Sequence, residues 1–160
     1  MITCTFENSR IAHLRHVTVG TISINKKHEV LLVKRAPNLP RGGTFTIPGG
    51  FLERDETVEQ GALRELKEET GYDGEIKALF QINDSPKRPK EDRQNVDFVF
   101  IAEITGGIET INPEVTSIYW FSKEFLPKEE LFAYDHRSSI LRYFSYLKKP
   151  YALPLIGNLL

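Results

Sequence analysis

Gly50-Phe-Leu-Glu-Arg-Asp-Glu56, seven residues, then Arg64-Glu65-Leu-Lys-Glu68-Glu69-Thr-Gly71-Tyr72 is the stretch that decides how this chain is read. Three carboxylates, Glu65, Glu68 and Glu69, fall within five residues beside Arg64. On a helix, positions three and four apart share a face, so Glu65 neighbours both Glu68 and Glu69. Like charges at those spacings destabilise a helix by roughly 0.2–0.5 kcal/mol per pair. A helix that gathers them is neutralising them with something else. A hard divalent cation, which prefers carboxylate, carbonyl and water oxygens, is the natural candidate. The ends of the helix are legible too. Thr57 with Gln60 three residues on forms a capping box, and Gly71 suits a left-handed stop. Val58, Ala62, Leu66 and Thr70 make the inner stripe. Gly61, inside the helix, costs about 1 kcal/mol relative to alanine. It is either simply tolerated or a device that lets the helix approach backbone closely.

Outward from this helix the chain alternates strands and turns. Ile2 to Phe6 and Ile11 to Leu14 flank a polar turn and read as a hairpin. Val17 to Ile24 is a strand, Asn25 to His28 a turn, Val30 to Val33 a strand, and 37–44 a loop. Phe45 to Ile47 reads as a short strand that stops at Pro48-Gly49-Gly50. Beyond the helix, Glu75 to Ile82 and Val96 to Ile104 are strands separated by a polar loop, Asp84 to Gln94. Gly106-Gly107 turns the chain, and Ser117 to Phe121 is another strand. Glu124 to Leu131 is a short helical or turn region broken by Pro127. Asp135 to Lys148 is helix-like, with Ile140, Leu141, Phe144 and Leu147 on one face. Strands on both sides of a helix, then a second helix, suit a mixed sheet between helices. No repeats, low-complexity segments or internal boundaries interrupt the 160 residues, which read as one domain, 1–160.

Composition narrows the function classes. With 40% hydrophobic and 27% charged residues the chain reads as soluble and globular. A formal net charge of −1 gives no electrostatic reason to expect nucleic acid or a membrane surface as partner. The single cysteine, Cys4, excludes a disulfide framework and a cysteine-rich zinc ribbon. No stretch approaches a membrane span and no signal pattern opens the chain, so a cytoplasmic location is the default. The four histidines show no metal-ligand spacing.

The stretch 50–72 resembles the Nudix (MutT-like) box: glycine, five residues, glutamate, seven residues, then Arg-Glu-aliphatic-x-Glu-Glu-x-Gly-aliphatic. Only Tyr72 departs, where the family usually has an aliphatic residue. The resemblance implies the Nudix α/β/α sandwich. It implies a hydrolase acting on a phosphoanhydride, with Mg²⁺ (or Mn²⁺) held by Glu65, Glu68, Glu69 and a glycine carbonyl at Gly49 or Gly50, and a nucleoside diphosphate derivative as substrate. Glu56 and Arg64 would form a salt bridge that orients the metal ligands. The general base is open between the box, Glu68 or Glu69, and a later loop, Glu109 or Glu114. Arg35 resembles a family arginine that contacts substrate phosphate, and Arg41 is a second candidate.

Substrate choice is less legible. Leu31-Leu32-Val33-Lys34-Arg35 resembles the pattern of coenzyme A members, but Pro40 stands where their second arginine belongs. Pro86 and Pro89 straddle the place where ADP-ribose pyrophosphatases tend to carry a proline. Asn83 to Arg93 resembles their corresponding loop. An ADP-ribose-like substrate is therefore expected, with a nucleotide-sanitising triphosphate pyrophosphatase as runner-up. A non-catalytic nucleotide-sensing domain is the alternative from another class; such domains typically lose box glutamates, and all three are present. The 84–95 loop, formally +1, reads as solvated. The apolar tail from Tyr151 either packs on its own domain or, with the N-terminal hairpin, supports a homodimer.

Overall fold

The computed structural model describes residues 2–88, 90 and 93–157. Two strands, β1 (Ile2–Thr5) and β2 (Ile11–Leu14), pair antiparallel as the expected hairpin, in a sheet of their own. The main sheet holds β3 (Val17–Ile24), β4 (Val30–Arg35), β5 (Phe45–Thr46), β6 (Gly49–Phe51), β7 (Tyr72–Asn83), β8 (Val96–Gly107), β9 (Val115–Phe121) and β10 (Leu155–Ile156). Its order is β10-β7-β8-β3-β4-β5, with β6 also on β3 and β9 on β4. β3 with β8 and β10 with β7 are parallel pairs, and the rest are antiparallel, so the sheet is mixed.

The two helices cover opposite faces, as expected of an α/β/α sandwich. α1 (Val58–Thr70) places Ala62 against Val19 and Phe100. α2 (His136–Lys148) places Ile140, Tyr143 and Phe144 against Ile22, Phe80 and Val99. Val19 and Ile22, an odd number of residues apart on β3, point to different faces because side chains alternate along a strand. Val30-Leu31-Leu32-Val33 is fully buried, the run of apolar residues that a strand covered on both faces requires. Among the described residues no helix is long and apolar enough to cross a membrane.

The caps of α1 behave as the sequence indicates. Thr57 Oγ1 accepts from the Gln60 amide while Gln60 Oε1 accepts from the Thr57 amide. Gly71 takes φ 74° and closes the helix through its N–H to Lys67 O. Other expectations need correction. The short strand from Phe45 does stop before Pro48, but the glycines that follow are not a plain turn: Gly49–Phe51 forms β6, held on β3 by the register Gly20↔Gly49, Val19↔Gly50 and Thr18↔Phe51. Gly106 and Gly107 do not turn the chain; they extend β8 against Asp73 and Tyr72. On α2, Leu147 is 45% exposed and Tyr143 takes its place in the core, because the helix turns its Ile140–Tyr143–Phe144 side to the sheet. Around Gly61 the close neighbour is not backbone. A Cβ there would lie 2.6 Å from Glu56 Oε1 and 3.1 Å from Leu52 Cδ1. For the tail, one of the two expected readings holds in its described part: Leu155 and Ile156 pack on their own sheet, pairing with Gln81 and Ile82.

Gly71 carries a sharp prediction. A Cβ there would meet Thr110 Oγ1 and Ile108 O, and a left-handed residue costs an L-amino acid roughly 1–2 kcal/mol. Gly71→Ala should lower unfolding free energy by about 2 kcal/mol or more in urea titration. A loss below a few tenths would show that the cap is dispensable.

Candidate active site

The box places its residues through β6 and α1. A Cβ on Gly49 would strike Val19 O, and one on Gly50 would strike the Glu65 carboxylate. Only glycines let β6 lie this close to both β3 and the helix. Glu69 Oε2 then accepts a hydrogen bond from the Gly49 amide at 3.0 Å. Arg64 organises the remainder. Its Nε and Nη2 hold Glu56 Oε2 and Oε1 at 2.9 and 2.7 Å, a two-pronged contact. Nη2 also reaches Phe51 O at 3.0 Å, and Nη1 reaches Glu65 Oε1 at 2.9 Å and Glu68 Oε2 at 3.2 Å. Glu56 and Arg64 thus form the ion pair that the family resemblance implies, and it fixes the 51–56 loop on the helix.

These groups open into a cleft of about 490 Å³. Gly49, Gly50, Glu65 and Glu68 line it on one side, with Arg35 and Glu114 also in its wall. The segment bearing Glu114 is tied to the end of β4 by Ala36 N–H to Glu114 O, 2.8 Å. Two expected residues fall elsewhere. Glu109 accepts from the Tyr72 hydroxyl at 3.1 Å and does not line the cleft. Arg41 gives Nη2 to Lys90 O at 3.2 Å, also outside the cleft lining.

Burial dominates the electrostatics. It pushes the Glu69 carboxyl up to about 8, against the lowering effect of the Gly49 amide, and the neighbouring Glu65 adds to the rise. Burial also raises Glu65, opposed by Arg64. Arg64 is held still more firmly protonated by its hydrogen bond to Glu56. A buried carboxylate at this position asks for positive charge. Oxygen donors from Glu65, Glu69 and the glycine turn could hold a hard divalent cation, with Glu68 at the exposed rim. Among the described residues no three acidic or histidine side chains already stand in ligand geometry.

The other half of the cleft was missed in the sequence. Arg88, expected in a solvated loop, is buried. It pairs with Asp97 Oδ2 at 3.0 Å and Asp135 Oδ1 at 2.7 Å. Pro89, Glu91 and Asp92 of that loop lie outside the described residues. Burial pushes the Asp135 carboxyl up, but the charge and hydrogen bonds of Arg88 outweigh it and hold it below the usual range. His136 bonds Thr46 Oγ1 at 2.6 Å through Nδ1. Burial, helped by the charge of Arg88, lowers it to about 4, so it is neutral at physiological pH. Arg88, Asp97 and His136 all line the cleft.

A mixed sheet between two helices, with a glutamate-rich helix opening beside a glycine turn, is an arrangement suited to phosphoanhydride hydrolysis. The Nudix domain pattern matches residues 14–143, and the chain belongs to the Nudix family. An ADP-ribose pyrophosphatase of Methanocaldococcus jannaschii is 38% identical over 120 residues, 75% of this chain and 68% of that protein. A MutT-like protein of Streptomyces ambofaciens is 33% identical over 111 residues, 69% of this chain and 66% of its own length. A Nudix hydrolase structure from Nitrosomonas europaea superposes with a TM-score of 0.80 at 25% identity, covering 98% of this chain and 92% of that one. The Nudix domain of Shewanella oneidensis NrtR, complexed with ADP ribose, superposes at 0.65 and 25% identity, covering 85% and 90%.

His136 gives a pH prediction. An unfolded histidine takes its proton near 6.5, and the folded one resists until about 4. The unfolded state therefore binds more protons between these values, and stability falls as pH drops through that window. The full effect is about 3 kcal/mol, present above pH 6.5 and lost toward pH 4. Urea titrations at pH 7.5 and 4.5 should show a smaller loss for His136→Gln than for the wild type. Equal losses would remove His136 as the cause.

Proposed function

We propose that this protein is a Mg²⁺-dependent pyrophosphohydrolase that splits the diphosphate linkage of a nucleoside diphosphate derivative, ADP-ribose leading. The observation that carries the reading is the cleft that joins Glu65, Glu68 and the Gly49–Gly50 turn to Arg35 and Glu114. The ADP-ribose pyrophosphatase relative and the ADP ribose-bound neighbour support the substrate class.

The residues fit a hard cation: an all-oxygen donor set, with Glu65 packed on Gly50 and Glu69 buried against Gly49. Bound there, Mg²⁺ would neutralise phosphate charge and acidify an attacking water. Glu65, Glu68, Glu69 and the Gly50 carbonyl would hold it, Glu65 and Glu68 yielding part of their contact with Arg64. Arg35 would bind a phosphate oxygen and carry negative charge as the transition state forms. Its charge is already felt by Glu69. Glu114, in the wall of the same cleft, would take the proton of the attacking water. That water's oxygen bonds to one phosphorus, the bridging P–O bond breaks, and the bridging oxygen leaves with the second phosphate. From ADP-ribose the products are AMP and ribose 5-phosphate. The geometry favours Glu114 over Glu109 as loop base, since Glu109 is turned to Tyr72. A triphosphate pyrophosphatase would use the same centre and release a nucleoside monophosphate with pyrophosphate.

Chromatography of products from ADP-ribose and nucleoside triphosphates with Mg²⁺ tests this directly. Glu69→Gln and Glu114→Gln should each lower kcat by about 10²-fold or more, as loss of a cation ligand or a base does. Glu109→Gln should stay near wild type. Full activity in Glu114→Gln would return the base to the box.

Metal removal adds a second expectation. In chelator, the folded Glu69 carboxyl keeps its proton up to about 8 whereas an unfolded one loses it near 4.5. That stabilising difference is present below 4.5 and lost as pH rises through 8. At pH 8 without metal, Glu69→Gln should therefore melt a few degrees above wild type. Added Mg²⁺ should raise the wild type and leave the variant nearly unmoved. A variant less stable in chelator would refute the buried-charge account.

A further inference from the structure

The cleft has a second end that the phosphoanhydride chemistry does not use. Phe51, Thr18 and Asp97 lie in line across β6, β3 and β8, and Gly49 is two residues along β6. Strand spacing and rise put Asp97 roughly 12 Å from Gly49. A substrate whose phosphates meet the box would lay its nucleoside toward Asp97.

Asp97 is 5% exposed and lines the cleft. Its Oδ1 accepts from the Thr18 hydroxyl at 2.8 Å. Its Oδ2, 3.0 Å from Arg88 Nη2, takes no well-aligned hydrogen bond among the described residues. That oxygen is buried against Arg88, but a carboxylate has about four acceptor positions and no donor, so Asp97, which lines the cleft, keeps acceptor positions beyond its contacts with Thr18 and Arg88. Flat surfaces accompany it. The Tyr134 ring lines the same cleft with the Arg88 guanidinium 5.7 Å from its centroid, and Phe51 carries Arg93 at 5.6 Å. Asp135 holds Arg88 from the far side and does not line the cleft.

We propose that Asp97, set by Thr18 and Arg88, is a specificity-determining residue that reads the exocyclic amino group of a purine at this end of the cleft. The inference rests on the nucleoside diphosphate reading above. An acceptor-only carboxylate rewards an amino group and rejects a carbonyl oxygen in the same place, since two acceptors facing one another leave both unsatisfied. Arg88 acts through Asp97, and Asp135 positions Arg88.

The test compares AMP with IMP, which carries a carbonyl oxygen in place of the C6 amino group, by equilibrium binding to the Mg²⁺-loaded protein. Kinetics on ADP-ribose and its hypoxanthine counterpart run in parallel. A hydrogen bond to a charged group predicts a preference on the order of 10–100-fold for an amino-bearing base. Asp97→Asn, whose amide can donate to a carbonyl, should erase or invert that preference. Asp73→Asn removes a carboxylate charge that pairs with Lys67 outside the cleft lining and should keep it. Thr18→Val, which frees one carboxylate oxygen, should weaken it and serves if Asp97→Asn does not fold. Loss of preference in the Asp97 and Thr18 variants alone supports the inference. An unchanged ratio in them, or an equal loss in Asp73→Asn, overturns it. If no diphosphate is hydrolysed, the proposed function fails, while the nucleotide binding ratios still decide the role of Asp97.

Discussion

Arg64 is the contact on which the site depends. Arginine offers five N–H donors in a planar fork, and five hydrogen bonds leave this one: two to Glu56 and one each to Phe51 O, Glu65 and Glu68. One cation thereby bridges three carboxylates, leaving the group net negative, and holds the backbone of β6 against α1. Lysine, with three donors on a flexible stem, could not span this set. The pairing also explains why Gly61 is glycine. Glu56 reaches Arg64 across that position, and its carboxylate occupies the space a side chain would need. The helix forgoes about 1 kcal/mol of propensity there to keep the fork in place.

The cleft treats buried charge in two opposite ways. At the box end, one arginine faces several carboxylates, and Glu69 beneath them takes a hydrogen bond from the neutral Gly49 amide. That end is short of positive charge, which is the condition for binding a cation. At the other end, two aspartates enclose one arginine within hydrogen-bond reach. That ion cluster is close to self-sufficient, so it serves shape and selectivity rather than charge capture. Breaking such a pair from one side is costly because the remaining charge stays buried. Arg88 is accordingly fixed at the cleft, and Lys90 adds surface ties to Arg41 and Phe132.

The sequence makes the box end legible because all its determinants lie within 23 residues and obey local rules. Thr57, Gln60 and Gly71 announce the helix ends, and the spacing of Glu65, Glu68 and Glu69 announces their shared face. Arg88, Asp97 and Asp135 obey no such rule. They come from a loop, the start of a strand and the cap position of a helix, and only the sheet and α2 bring them together. Arg88 in a polar, proline-bearing loop has the composition of a solvated residue, and nothing local signals its burial. Glu109 and Glu114 show the same limit at short range. Five residues apart in one segment, they are indistinguishable as sequence, and the Ala36–Glu114 backbone bond and the Tyr72 hydroxyl send them to different places. Leu147 and Tyr143 exchange places in the core for a related reason: a periodic stripe gives the apolar face only to within a fraction of a turn.

Chemistry and recognition are consequently carried by different parts of the chain, with His136 at their junction. Its ring bonds Thr46, which precedes the Ile47-Pro48-Gly49 entry to the box, while its backbone opens α2 beside Asp135. A neutral imidazole suits this place. A charged one would stand beside Arg88 in a dry interior and repel the cation that holds the recognition loop. A neutral hydrogen bond thus links the entry to the box with the start of α2. This division accounts for how a strict box identifies the reaction class and leaves the base to be read by Asp97 and its neighbours.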